Sequence, residues 1–189
     1  MEINVKKIVM FEGGVETLAY FSKQMAEQFV KMGYAVFFYN LKDEKGSAKR
    51  LRKFIKPGET VMITFNFQGL EKEDGVYSEK SGYVWDEYKI PCYNIAADHP
   101  YYYDNRLHDL PKGYHHISID RKQEAYFLKT CESRSADSPL SLFICTTPMP
   151  HQSRPSQSSF AMVSYSLSDT AAKRSHGFLP VLSWIFPAA

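Results

Sequence analysis

Apolar positions in the first 130 residues fall into two alternating patterns. Short continuous runs occur at Val5–Phe11, Tyr34–Tyr39 (YAVFFY), Thr60–Phe65 (TVMITF), Cys92–Ala97 (CYNIAA) and His115–Ile119. Runs of this length, rich in β-branched and aromatic residues, predict five strands, and the near absence of polar residues in Tyr34–Tyr39 fits a strand covered on both faces. Between the first two, apolar residues recur at Val15, Leu18, Phe21, Met25, Phe29 and Met32, the spacing of one helix face, with Gly33 placed to end the helix. Further helices are expected over Ala48–Ile55, which Pro57-Gly58 stops, over Ser81–Tyr88 around Trp85, near Tyr102–Leu107, and over Arg121–Lys129. Strand–helix alternation with short connections predicts an α/β fold: a Rossmann-like parallel sheet flanked by helices.

The pattern changes near Thr130. Residues 1–130 contain only five serines, whereas residues 131–189 contain 13 serines and six prolines, with Glu132, Asp137 and Asp169 the only acids. Clear periodicity is lost there over most of the segment. The expected organisation is therefore a folded domain over 1–130 and an irregular, Ser/Pro-rich C-terminal tail over 131–189. That tail is either a linker-like extension or a frameshifted reading after a truncated domain.

The full chain has 189 residues, with 23 Lys+Arg against 21 Asp+Glu and a formal net charge of +2. This balance gives no electrostatic reason to expect nucleic acid or an anionic membrane as partner. The basic run Lys49-Arg50-Leu51-Arg52-Lys53 reads as a solvated helix face. Three cysteines, with no CxxC pair, fit a reducing, cytoplasmic compartment. The N-terminus has a strand pattern rather than that of a signal peptide, and no window approaches the roughly 20 apolar residues of a membrane span.

Ligands of open parallel sheets bind beyond the carboxyl ends of the strands. Four loops are expected there: Glu12-Gly13-Gly14, Asn66-Phe67-Gln68-Gly69, Asp98-His99-Pro100 and Asp120-Arg121. Gly13-Gly14 opens a helix, where glycine admits close backbone approach and the helix end favours an anion. It lacks the GxGxxG spacing, and Asn40 stands where a dinucleotide site needs an acid after the second strand, so a packing turn is the simpler reading. Asp98 beside His99 offers acid–base chemistry or a grip on a sugar hydroxyl, with Tyr102 among the tyrosines available to stack on a sugar or base. The alternative there is a structural turn in which Asp98 caps the following helix. His99, His108, His115 and His116 do not have metal-ligand spacing, and His115 and His116 point to opposite faces of one strand, so no metal is expected. No Cys/His pair or GxSxG motif supports covalent catalysis.

MAEQFVKMGYAVFFYN resembles the first helix, glycine and second strand of GT-B glycosyltransferases. The run SGYVWDEYKIPCYNIAADHPYYYDNRL, followed by ISIDRKQEAYFLK, is similar to the N-terminal domain of bacterial CgeB-like glycosyltransferases. The pattern carrying the resemblance is Ile90-Pro91, Asp98-His99-Pro100 and Ile119-Asp120-Arg121, and the likeness spans about residues 1–130. It implies one half of a GT-B fold, on the acceptor side, transferring sugar from a nucleotide-sugar donor to a sugar or protein acceptor without a further cofactor. Asp98 and His99 are the implied catalytic pair, with Gly13, Gly14, Asn66, Gln68, Tyr102, Asp120 and Arg121 as substrate-binding candidates. Enzymes of this kind carry most of the donor site on a second Rossmann-like domain, which residues 131–189 do not resemble. The expectation is therefore a truncated chain that by itself binds nucleotide-sugars weakly and transfers nothing measurable. The competing reading is a Rossmann-like nucleotide- or sugar-binding module without catalysis.

Overall fold

A computed structural model describes residues 4–119, 122–123, 126, 141–146 and 161–165. Five strands alternate with helices in the order expected: β1 (Lys7–Glu12), α1 (Glu16–Lys31), β2 (Ala35–Asn40), α2 (Glu44–Phe54), β3 (Thr60–Phe65), a small β4–β5 hairpin (Tyr77–Ser78, Gly82–Tyr83), α3 (Val84–Glu87), β6 (Cys92–Ala96), a 3-10 helix (Pro100–His108) and β7 (Tyr114–Ser118). The large sheet runs β2-β1-β3-β6-β7, and every pairing among these five is parallel. The chain is thus an α/β Rossmann-like sheet flanked by helices. Two further strands, β8 (Ser141–Thr146) and β9 (Ala161–Tyr165), are described within the segment expected to be irregular. β8 adds parallel to β7 and β9 antiparallel to β8, so these two stretches continue the sheet.

Alternation along β1 explains the layering. Ile8 and Met10 join Ala26 and Phe29 of α1, together with Val61 and Ile63 of β3, in one core. Val9 and Phe11 face the other way, into a larger core with Leu51 of α2, Met62, Trp85 and Tyr114. Successive strand residues point to opposite faces, so a strand covered by helices on both sides must be apolar at both parities. β3 is the extreme case, with all six residues buried.

Helix boundaries follow local chemistry. α1 ends where Gly33 takes φ +90°, and the Tyr34 N–H closes back on the Phe29 carbonyl at 3.0 Å. α2 begins four residues earlier than the apolar spacing implied, because Asp43 caps it, accepting from the Gly46 N–H at 3.2 Å. The basic run on α2 behaves as a solvated face: Leu51 is fully buried, while Arg50 pairs with Asp43 and Arg52 with Glu87 at the surface. Of the helix expected over 121–129, Lys122, Gln123 and Tyr126 are described, and each is helical. Among the described residues, no helix is long and apolar enough to cross a membrane.

The loop after β3 is fixed from below by aromatic side chains. Trp85 Nε1 donates to the Gly69 carbonyl at 2.8 Å, and the Tyr83 hydroxyl donates to the Leu70 carbonyl at 2.8 Å. Gly69 has φ +79°, and a Cβ there would lie 2.0 Å from the Phe11 ring. Gly69→Ala is therefore expected to lower stability by about 2–4 kcal/mol, combining left-handed strain with overpacking. Chemical denaturation followed by circular dichroism checks this, and an unchanged midpoint would show that the loop relaxes without cost.

Candidate functional site

The order β2-β1-β3-β6 reverses direction at β1 and β3, and crevices at such reversals are the usual ligand sites of parallel sheets. A cleft of about 650 Å³ lies there. Its wall takes Gly14, Val15 and Phe21 from the β1–α1 turn and α1, Glu44 from the start of α2, Asn66, Gln68, Glu71 and Glu73 from the loop after β3, and Asp98, Tyr103 and Arg106 from the segment after β6.

Asp98 is the best-defined polar group in this cleft. Its Oδ2 accepts from Asn66 Nδ2 at 2.8 Å and from the Tyr103 hydroxyl at 2.9 Å. Asn66 Oδ1 in turn accepts the Ala97 and Asp98 N–H groups at 2.8 and 3.2 Å. The carboxylate is held by one oxygen, while Oδ1 accepts no hydrogen bond from the described residues. Tyr103 is held neutral, its pKa raised by burial and by the Asp98 carboxylate it donates to.

Asn66 reaches Asp98 because the backbone turns left-handed at the end of β3, with φ +48° at Asn66 and +65° at Phe67. A left-handed Phe is costly, and its surroundings hold it there. Its N–H donates to Asn94 Oδ1 at 2.9 Å, Asn94 Nδ2 donates to the Tyr114 hydroxyl at 3.0 Å, and that hydroxyl lies 2.7 Å from His116 Nδ1. Asn94, Tyr114 and His116 are fully or almost fully buried. The hydroxyl accepts from Asn94, and whether it or His116 Nδ1 donates in the second bond depends on the imidazole tautomer. The Phe67 ring stacks on Tyr114 at 6.1 Å and packs against Tyr103 at 4.8 Å.

The rest of the polar lining is rich in acids. Glu73 receives the Gly69 N–H at 2.5 Å and the Glu71 N–H at 3.0 Å, closing the loop on itself. Burial raises the carboxyl pKa of Glu73, and the neighbouring Glu71 adds to it. Burial also raises that of Glu71, against the opposing pull of Arg106, its ion-pair partner. Glu44 Oε2 accepts the Asp74 N–H at 2.7 Å. Gln68 is only 8% exposed, and its Oε1 has no hydrogen-bond partner among the described residues.

The sequence candidates separate into three groups. Gly14, Asn66, Gln68 and Asp98 share the cleft. Gly14 is close beneath Gln68: a Cβ there would lie 2.5 Å from Gln68 Nε2. Gly13, His99 and Tyr102 are not among the lining residues. Gly13 packs against Asn40, whose Oδ1 would be 2.3 Å from an added Cβ. His99, rather than Asp98, caps the 3-10 helix, its Nδ1 accepting from the Tyr101 N–H at 3.2 Å, and its ring meets Tyr126 edge-on at 5.0 Å. Tyr102 is 75% exposed and contacts the Tyr101 ring. Asp120 and Arg121 lie outside the described residues. Glu44, Glu71, Glu73 and Arg106 were not anticipated, although the cluster of acids in the loop after β3 was visible in the sequence; Tyr103, one of the tyrosines expected to stack, instead donates to Asp98.

Among the described residues, no three His, Cys, Asp or Glu side chains converge closely enough to hold a metal ion. Cys92 is a buried free thiol whose pKa burial raises well above its ordinary value. Comparison with protein-family models, curated proteins and solved structures finds no match to this chain.

Proposed function

We infer that residues 1–130 form the acceptor-side domain of a glycosyltransferase. The observation that carries this reading is Asp98, anchored through Oδ2 by Asn66 and Tyr103 at the switch-point cleft while Oδ1 accepts from no donor among the described residues. An acceptor hydroxyl donating to Oδ1 is oriented by a carboxylate that does not itself swing. When that hydroxyl oxygen attacks the anomeric carbon of a nucleotide-sugar, its proton passes to Oδ1. The new glycosidic C–O bond forms as the bond to the nucleotide diphosphate breaks. The donor is bound mainly by a second domain, as the resemblance implies. His99, committed to the helix cap and away from the cleft lining, has no part in this step.

The same cleft without a donor domain serves a sugar-binding module, so binding and turnover must be read separately. Titration calorimetry with simple sugars is expected to show saturable binding, weakened by about tenfold or more in Asp98→Ala through loss of a charged hydrogen bond. Assembled with a donor-binding domain, Asp98→Asn should lower nucleotide release at saturating acceptor by about 10²–10⁴-fold, the usual contribution of a general base. Saturable binding of a free nucleoside diphosphate, with none of sugars, would overturn the acceptor-side reading.

A further inference from the structure

Open hydrogen-bond donors meet an apolar group beside the start of α1. Gln68 lines the cleft although it is more than nine-tenths buried. Its Oε1 is sealed and unpartnered, while Nε2 stays accessible and finds no acceptor among the described residues. Turning the amide over would seal two N–H donors in place of one oxygen, so the amino group belongs on the cleft side. No side chain caps the start of α1. Its first hydrogen bond runs from the Ala19 N–H to the Val15 carbonyl at 3.0 Å, which leaves the N–H groups of Glu16, Thr17 and Leu18 open. Thr17 and Leu18 belong to the cleft wall.

Gly14 brings the donor and the apolar group to one place. Its backbone is not left-handed, so the conformation does not call for glycine. What the glycine leaves is room: a Cβ there would lie 2.5 Å from Gln68 Nε2 and 2.9 Å from Leu41 Cδ1. The amide donor and the leucine methyl therefore border the same spot, just before α1. Leu41 is fixed by its own N–H, which donates to the Glu12 carbonyl at 2.8 Å. A ligand group with an oxygen acceptor beside a methyl fits such a spot. A phosphate fits it poorly, because Glu44, Glu71, Glu73 and Asp98 line the same cleft and its one guanidinium, of Arg106, is already paired with Glu71. An uncharged carbonyl takes the open donors without meeting that repulsion.

We propose that the cleft recognises an N-acetylated sugar as its acceptor, the acetamido carbonyl accepting from Gln68 Nε2 and the open end of α1 while the methyl packs on Leu41. This rests on the acceptor-side reading above and narrows its substrate class. The grip leaves Asp98 Oδ1 unused, so that oxygen stays available to the attacking hydroxyl. A ring hydroxyl in place of the acetamido group can accept one of these hydrogen bonds but brings no methyl to the leucine.

The test is calorimetric titration of the full chain with N-acetylglucosamine, glucose and inorganic phosphate. N-acetylglucosamine is expected to bind about tenfold tighter than glucose, the scale of one neutral hydrogen bond together with one buried methyl. Inorganic phosphate should bind weakest. Gly14→Ala pushes the Gln68 amide off its seat, and Gln68→Met removes the donor at similar length. Each should bring the two sugars to within about twofold of each other, with melting temperatures checked beside the titrations. Equal affinity of the unaltered chain for the two sugars overturns the acetamido selectivity and leaves the acceptor-side reading standing. A tenfold preference that survives in a folded Gln68→Met variant overturns the selectivity too, as does phosphate binding tighter than either sugar. Failure of both sugars to bind overturns both readings.

Discussion

Trp85→Ala should cost about 3–5 kcal/mol of stability, the range for emptying a buried aromatic site. Trp85 is fully buried and meets Phe11 edge-on at 6.4 Å. The indole also donates to the Gly69 carbonyl at 2.8 Å, so truncation leaves that carbonyl orphaned beneath the cleft loop as well as opening a cavity. A loss of this size is a large fraction of the roughly 5–15 kcal/mol that holds an ordinary domain together. The predicted result is a large drop in the urea midpoint by circular dichroism. Trp85→Phe should recover much of the packing but not the hydrogen bond, and so fall between. If the alanine variant unfolds at the wild-type midpoint, the loop is not held from below in the way described.

The parallel sheet was readable because β1, β2 and β3 are largely apolar runs, while β6 and β7 keep enough apolar positions around Asn94 and His116 to read as strands. A strand with helices on both faces favours apolar residues at both parities, and that preference is local enough to survive in a single sequence. The β4–β5 hairpin went unread because its strands are two residues each, too short for any periodicity to register. α2 was started too late because its first turn, Glu44-Lys45-Gly46-Ser47, has no apolar residue, and only the Asp43 cap marks it. β8 and β9 lie in a segment whose Ser/Pro content masks alternation, although SLFICT and AMVSY are strand-like once isolated.

The site was legible in its position more than in its chemistry. Strand-end loops of a parallel sheet share one edge, so Gly14, Asn66, Gln68 and Asp98 could be placed together in advance. Which neighbour of each turn faces the cleft depends on backbone dihedrals that residue type does not encode. The left-handed turn at Asn66-Phe67 sends Asn66 to Asp98. The 3-10 helix turns Tyr103 inward and leaves Tyr102 in solvent, and it uses His99 as its cap. Tyr102 and Tyr103 are identical in composition terms, and only the helical phase after Pro100 separates them.

Acid should loosen this fold well before its carboxylates are fully protonated, because two strand histidines are held neutral. Burial pulls the His116 pKa down to about 3 and that of His115 to about 4, from an ordinary value of 6.5. His116 contacts Tyr114 and Phe67, and His115 stacks on Tyr93 at 4.5 Å. A base with a lowered folded pKa costs nothing above 6.5, where both states are neutral. Below 6.5 the unfolded chain takes up protons that the folded one refuses, so stability falls as pH falls, until the folded pKa is reached. Each ring contributes a slope of up to about 1.4 kcal/mol per pH unit in that window. Glu71 and Glu73 act oppositely: their raised folded pKa values mean that the native state holds protons the unfolded state has lost, which stabilises it as pH drops toward 4.5. The net slope is therefore smaller than that of the histidines alone, and the decisive comparison is with His116→Gln. Glutamine can still share a hydrogen bond with the Tyr114 hydroxyl but does not titrate. Urea unfolding between pH 6.5 and about 4 should show the variant losing one histidine's share of the slope. Identical slopes in the two proteins would mean that the His116 ring takes up its proton in the folded chain as readily as in the unfolded one, and that the buried Asn94–Tyr114–His116 chain does not depend on a neutral imidazole.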